Sequence, residues 1–124
     1  MEKKLAKISS ATLNIKDRGI LTFWVMVDYE DGCSQGVGGP TLDNWDEDKQ
    51  SRVGTAYGCE MIRQLLLFFN VDNLQDCKGQ YVYVLGEGKG LAFTPKGFEK
   101  LYVDDFNRKQ ILFPSIFDEF GDKE

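Results

Sequence analysis

The sequence predicts an α+β domain with a mainly antiparallel sheet: an N-terminal β-meander, one central buried helix and a C-terminal hairpin. Three observations carry that reading. Apolar and polar residues alternate with period two on both sides of a Lys16-Asp17-Arg18-Gly19 turn. An apolar stripe of helical period runs from Thr55 to Asn70, and β-rich segments flank a second turn at Gly86 to Gly90. The 124 residues suit a single domain spanning 1–124, since two separate cores would each be marginal.

Ala11, Leu13 and Ile15 alternate with Thr12 and Asn14, which defines the first strand. Gly19 supplies the positive φ of the turn that follows. Ile20 to Tyr29 places Leu21, Phe23, Val25, Val27 and Tyr29 on one face, with Thr22, Trp24, Met26 and Asp28 on the other. So apolar a strand is expected to be central or covered on both sides. Glu30-Asp31-Gly32 turns the chain, and Cys33 to Val37 returns as a third strand. Pro40 to Val53 reads as a polar, irregular loop. The helix over Thr55 to Asn70 has Thr55 or Gly54 as its N-cap and an apolar C-terminal half, so it belongs in the core. Asn73 starts a single turn that stops at Gly79. Gln80 to Leu85 and Leu91 to Thr94 form the second hairpin, and Pro95 to Lys100 a turn or one helical turn. Tyr102-Val103 and Ile111 to Phe113 form a last ribbon. Ile116, Phe117 and Phe120 dock the end of the chain before a flexible acidic tail, 118–124.

Composition excludes several kinds of chemistry. With no histidine, no Ser-His or Cys-His pair and no imidazole metal site exists. Cys33, Cys59 and Cys77 form no C-x-x-C pair, so zinc and thioredoxin-like redox sites are unsupported, and free thiols fit a reducing compartment. No apolar leader precedes the first strand, and the run Leu65 to Phe69 is too short to span a bilayer. These features predict a cytoplasmic protein with no membrane partner, no cofactor and no metal. A formal charge of -5 argues against gripping nucleic acid through bulk electrostatics.

The densest glycine run, Ser34-Gln35-Gly36-Val37-Gly38-Gly39-Pro40, weakens a strand and so demands a reason. A bulge passing over the helix is the expected one, with a close ligand or partner contact as the alternative. Glycine-rich backbone beside a helix N-terminus can cradle an anion. Here that gives a candidate small-ligand site of Gly36, Gly38, Gly39 and Thr55, with Arg52 or Arg63 meeting a nucleotide-like anion. Neither G-x-G-x-x-G nor a P-loop is present. Gly54 and Gly58 bracket the helix start, where small residues permit close packing.

Asp43, Asp46, Glu47 and Asp48 cluster, but an EF-hand match fails: position 6 of the loop is Lys49 and position 12 is Thr55. Trp24, Tyr81, Tyr83 and Phe93 could form a stacking platform for single strands, with Lys16, Arg18, Lys89 and Lys96 tracking phosphates. Overall acidity weighs against that reading, and strand aromatics usually pack in cores. Residues 28–48 hold seven acids and no Lys or Arg, whereas residues 1–27 and 49–98 together hold six acids and eleven bases. An edge of one sign steers association with a surface of the other. Asp28, Glu30, Asp31, Asp43, Asp46, Glu47 and Asp48 are therefore the candidate partner-binding residues.

Ser34-Gln35-Gly36-Val37-Gly38-Gly39 with Leu42-Asp43, then Gly54-Thr55-Ala56-Tyr57-Gly58, Ile62-Arg63 and Cys77-Lys78-Gly79-Gln80-Tyr81-Val82, resemble small accessory proteins of bacteriophages and prophages. The resemblance covers roughly residues 5–100 and brings no catalytic motif. It implies a non-enzymatic protein in the bacterial host cell that blunts a nucleic-acid-handling defence protein, such as a CRISPR effector, by occupying its basic surface. The apolar excess of Ile20 to Tyr29 also admits a sheet-mediated homodimer.

Overall fold

A computed structural model describes residues 1–101 and 109–121. Strands β1 (Glu2–Asp17), β2 (Ile20–Tyr29), β3 (Ser34–Gly38), β4 (Asp43–Asp46) and β5 (Ser51–Gly54) precede helix α1 (Ala56–Phe69). Then come β6 (Tyr81–Glu87), β7 (Thr94–Glu99), β8 (Gln110–Leu112) and helix α2 (Phe113–Phe120). Six strands make one sheet in the order β3-β2-β1-β6-β7-β8, and β4-β5 stands apart as a hairpin. All pairings among the described residues are antiparallel, so the expected α+β class with a mainly antiparallel sheet is what the chain adopts.

The long β1 serves two partners. Its first half pairs with β6 (Glu2 to Lys7), and Ala6 to Asp17 pairs with β2. A register shift between Ile8 and Ser10 bends it where the two ladders meet. Arg18 and Gly19, both at positive φ, close the β1-β2 hairpin as a two-residue turn. Because β3 and β7 each lie two antiparallel steps from β1, they run in the same direction. They approach each other, and Gln35 Nε2 donates to the Phe93 carbonyl at 3.2 Å across the gap. β8 takes the rest of the free edge of β7, at Gly97 to Glu99. The sheet is thus a barrel left partly open between β3 and β7, with a helix between its third and fourth principal strands.

Inside sit Ile8, Phe23, Val25, Val27, Val37, Val84 and Phe98, with α1 contributing Met61, Leu65, Phe68 and Phe69. Each such side chain gains about 1.5–3 kcal/mol from leaving water. Aromatic edges fix the arrangement: Phe68 and Phe69 both meet Phe98, and Phe113 at the start of α2 bridges Phe23 and Phe98 at 5.5 and 5.8 Å. Phe113 thereby joins β2 to β7 from inside. The hydroxyl of Thr55 caps α1 by accepting the Gly58 N–H at 2.8 Å, and Asn70 ends the helix in the left-handed region.

Several expectations give way. β2 is central in the sheet, between β3 and β1, as expected, but it is not covered on both faces: Trp24 and Met26 stand exposed. The supposed loop 40–53 contains the β4-β5 hairpin, because Asp46 Oδ1 accepts the N–H groups of Asp48 and Lys49 and organises a tight turn. Leu91 to Thr94 is mostly a 3₁₀ turn over Gly90–Ala92. Pro95 to Lys100 is no turn but holds most of β7, with Pro95 tolerated beside a register shift against β6 at which Lys96 is the extra residue. Gly97 is required there, since a Cβ would collide with the Ile111 carbonyl. Ile111 pairs with β7, and Phe113 already begins α2. Tyr102-Val103 lies outside the described residues. The supposed flexible tail is helical as far as Phe120, and 122–124 lie outside the described residues.

Candidate functional site

The β2-β3 ladder runs from Trp24↔Gly38 to Asp28↔Ser34 without a register shift, so the glycines mark no bulge. They mark a close approach. A Cβ at Gly36 would lie 3.1 Å from Trp24 Cε3 and Cζ3, and one at Gly39 would overlap the far side of the same ring. A Cβ at Gly38 would likewise come within 2.7 Å of the Phe23 ring. The Trp24 indole therefore lies across β3 with bare backbone beneath it, while the residue keeps 44% of its surface exposed. One side of the ring is supported and the other is open.

The same outer face continues over the barrel. Thr12 is opposite Trp24 and Ser10 opposite Met26 on β1, and beyond the bend Lys7 and Leu5 are opposite Tyr81 and Tyr83 on β6. Lys3 lies over the Tyr83 ring at 4.5 Å and Lys7 over Tyr81 at 5.6 Å. Lys16 and Arg18 occupy the tip of the β1-β2 hairpin, Arg18 pairing with Asp17 at 3.3 Å. The face is thus a band of aromatic rings and short hydroxyls with lysines and two acids among them: Asp28 stands opposite Lys7, and Glu99, opposite Tyr83, pairs with Lys3 at 3.7 Å. Of the proposed platform, Trp24, Tyr81 and Tyr83 share this face. Phe93 is buried, and Lys96 opens into a recess with Tyr57, Phe113 and Phe117. Lys89 lies in the β6-β7 connection.

The acidic residues do not form one surface. Asp28, Glu30 and Asp31 surround the β2-β3 turn, where Asp28 accepts from Ser34 and Asp31 from the Cys33 N–H. Asp46, Glu47 and Asp48 lie beyond the opposite end of β3, in the β4-β5 hairpin. Glu47 and Asp48 are exposed at its turn, together with Lys49. Asp43 is withdrawn from the partner-binding set. It is buried, accepts Arg52 Nε at 3.0 Å and Nη2 at 2.8 Å, and takes the Leu21 N–H at 3.2 Å. The Arg52 hydrogen bonds, aided by that backbone donor, hold its carboxyl below the usual range against the opposing cost of burial.

The small-ligand constellation is not assembled. Gly36 and Gly39 lie under Trp24, and Arg52 is committed to Asp43. Arg63 sits on the exposed side of α1 beside Glu60. Thr55 donates to the Leu42 carbonyl at 2.7 Å while capping α1, and a Cβ on Gly58 would strike that same carbonyl. Close helix packing accounts for Gly58. The cavity at the start of α1, about 550 Å³, is lined by Thr41, Asn44, Gly54, Thr55, Tyr57, Phe117 and Phe120 among others, none of them charged.

Burial pushes the Tyr29 hydroxyl up to about 12 and the Cys77 thiol up to about 11, with Asp31 and Asp76 adding smaller contributions. Neither is poised as a base or nucleophile. Tyr29 instead donates to Gln35 Oε1 at 2.6 Å, the residue that bridges to β7. Among the described residues no three acids or cysteines are grouped to hold a metal, and no helix is long and apolar enough to cross a membrane. Comparison of the chain with protein-family models, curated proteins and solved structures finds no match.

Sequence reasoning missed the relation between Trp24 and the glycines, although its signal is present. Once β2 and β3 are paired through the Glu30-Asp31-Gly32 turn, an outward Trp faces the one stretch of β3 that lacks side chains.

Proposed function

We propose that this is a non-catalytic binding module whose ligand is an extended, unpaired nucleic-acid strand laid across the outer face of β2, β1 and β6. The observation that carries the reading is the Trp24 ring, held flat on Gly36 and Gly39 with its other side open. A supported, half-exposed indole is a stacking surface for a base. Tyr81 and Tyr83 offer further rings, Lys7 offers a cation to phosphate as does Lys3 beside Glu99, and five-stranded Greek-key barrels bind oligomers on the face of their second and third strands, where the Trp24 ring lies across β3. Fold alone would not carry the argument. The formal charge of -5 limits affinity; of the seven acids in residues 28–48 Asp28 stands on the face opposite Lys7, and the others belong to the turn and hairpin that flank it or, for Asp43, to the Arg52 pair.

Fluorescence titration tests the reading. In a Trp45→Phe background, Trp24 is the remaining indole. Oligothymidylate at low salt is expected to quench it, and Trp24→Ala to weaken binding about 5- to 150-fold, as the loss of one base stack predicts. Absence of quenching and of any mobility shift at low salt would sink the proposal.

A second reading, a protein partner with a basic surface such as a host defence protein, is favoured by the β4-β5 hairpin. There Trp45 is half exposed next to Glu47 and Asp48, an aromatic anchor beside acids. Reversal of Glu47 and Asp48 to Lys should abolish capture of such a partner and leave oligonucleotide binding intact or stronger.

A further inference from the structure

We propose that the start of α1 binds a small free carboxylic acid with an aromatic or branched apolar body, at a site separate from the outer face of the barrel. Cys59 makes the first bond of the helix ladder, to the Thr55 carbonyl at 3.1 Å, and Gly58 bonds the Thr55 hydroxyl at 2.8 Å. The N–H groups of Ala56 and Tyr57 meet no acceptor among the described residues, and no acid in the first turn offsets the positive end of the helix. Both residues line the cavity of about 550 Å³ at the helix start, a size that suits a small molecule.

A second feature points to a ligand on its own account. Tyr57 is only 8% exposed, yet its hydroxyl bonds to nothing among the described residues. No buried side-chain nitrogen or oxygen among them lacks a partner, so this hydroxyl is open to the space that Tyr57 lines. That space is the cavity at the helix start and the adjoining recess, which share Tyr57 and Phe117. Burial raises the Tyr57 pKa, which keeps the hydroxyl protonated and able to donate. The surroundings select the anion. No charged residue lines the cavity at the helix start, so a phosphate dianion finds no counter-charge there, whereas a carboxylate meets two backbone donors, a phenol and the helix dipole. Lys96 and Asp118 in the adjoining recess are opposite in sign and add no net charge. Phe117, half exposed and edge-on to Tyr57 at 5.1 Å, and Phe120 supply the apolar wall for the body of the acid.

Titration of the nitrogen-labelled full chain with phenylacetate, followed by amide NMR, tests this. The Ala56 and Tyr57 signals should move downfield and saturate at millimolar acid, as new hydrogen bonds form. Phenylacetamide, which lacks the charge, and phenyl phosphate, which carries too much of it, should each bind at least about tenfold more weakly. Ala56→Pro removes one of the two backbone donors. Thr55 is already extended (φ -124°, ψ 156°) and proline suits the first helical position, so the helix is kept while affinity falls about tenfold. Tyr57→Phe keeps the ring, loses the hydroxyl, and should weaken binding roughly 5- to 10-fold. Absence of a saturable shift at these two amides, phenylacetamide or phenyl phosphate binding as tightly as the acid, or an unchanged affinity in either variant overturns the inference.

Discussion

The indole of Trp24 occupies the space that a side chain at position 39 would need. Gly39 also holds φ at +82°, a region costly for any residue with a Cβ. Gly39→Ala is therefore expected to destabilise the domain by about 2–4 kcal/mol, from backbone strain plus displacement of the ring. Urea melts of Gly39→Ala, Trp24→Ala and the double variant should show a coupling of about 1–2 kcal/mol, because without the indole only the strain remains. Additive effects would mean that the ring does not rest on Gly39.

Thr55 donates to the Leu42 carbonyl, and a side chain at Gly58 would run into that same oxygen. Thr55→Ala removes both the cap of α1 and the donor to Leu42, at a cost of about 1–2 kcal/mol, while Thr55→Ser keeps both and should lie near wild type. Gly58→Ala, although alanine is the better helix former, should be the more damaging change, because its methyl group meets backbone. Thermal melts of the three variants rank them directly.

Asp43 and Tyr29 each make stability depend on pH. Asp43 has a depressed pKa in the fold, so the stabilisation it confers is complete above the ordinary aspartate value of about 4 and is lost as pH falls through its lower folded value. Tyr29 is raised to about 12, so its contribution is complete below about 10 and is lost as pH rises toward 12. Asp43→Asn should lower the melting temperature at neutral pH and flatten the acid limb, and Tyr29→Phe should flatten the alkaline limb. Melting curves recorded across the acid and the alkaline limbs would show whether each limb moves with its own residue.

Phe113 joins β7, on one side of the barrel's open seam, to β2, the neighbour of β3 on the other side, meeting Phe23 and Phe98 edge-on. Its truncation to alanine should cost about 2–3 kcal/mol, less than for a fully enclosed ring, since Phe113 is partly buried. Amide exchange should then speed up in β3 and β7 before the β1-β2 ladder. Uniform acceleration would show that the seam is not a separate weak point.

Much of the fold was legible because its signals are local. The alternation from Ile20 to Tyr29 and the stripe ending in Phe68 and Phe69 each declare their geometry within a dozen residues, and Gly19 marks its turn unaided. What escaped depends on partners distant in sequence. The first half of β1 reads as charged sequence, Glu2-Lys3-Lys4, and becomes strand because β6 lies beside it. Pro95 and Gly97 look like breakers until the register shift beside Pro95 and the Ile111 carbonyl facing Gly97 explain them. The acidic segment was read as one surface because charge was counted along the chain. Folding sends its two ends to opposite ends of β3 and spends Asp43 on Arg52.

The clasp between Leu42 and Thr55, 2.7 Å across, has a consequence for how such a chain can change over time. Everything between them leaves the barrel and returns to it at the same place, closed off by one hydrogen bond. To the barrel, the β4-β5 hairpin is a parenthesis. Past Asp43 and Arg52, which tie its base down, its length and wording can be rewritten without disturbing the grammar around it. A lineage under pressure to meet new partners could revise this hairpin generation by generation while the barrel stays as it is.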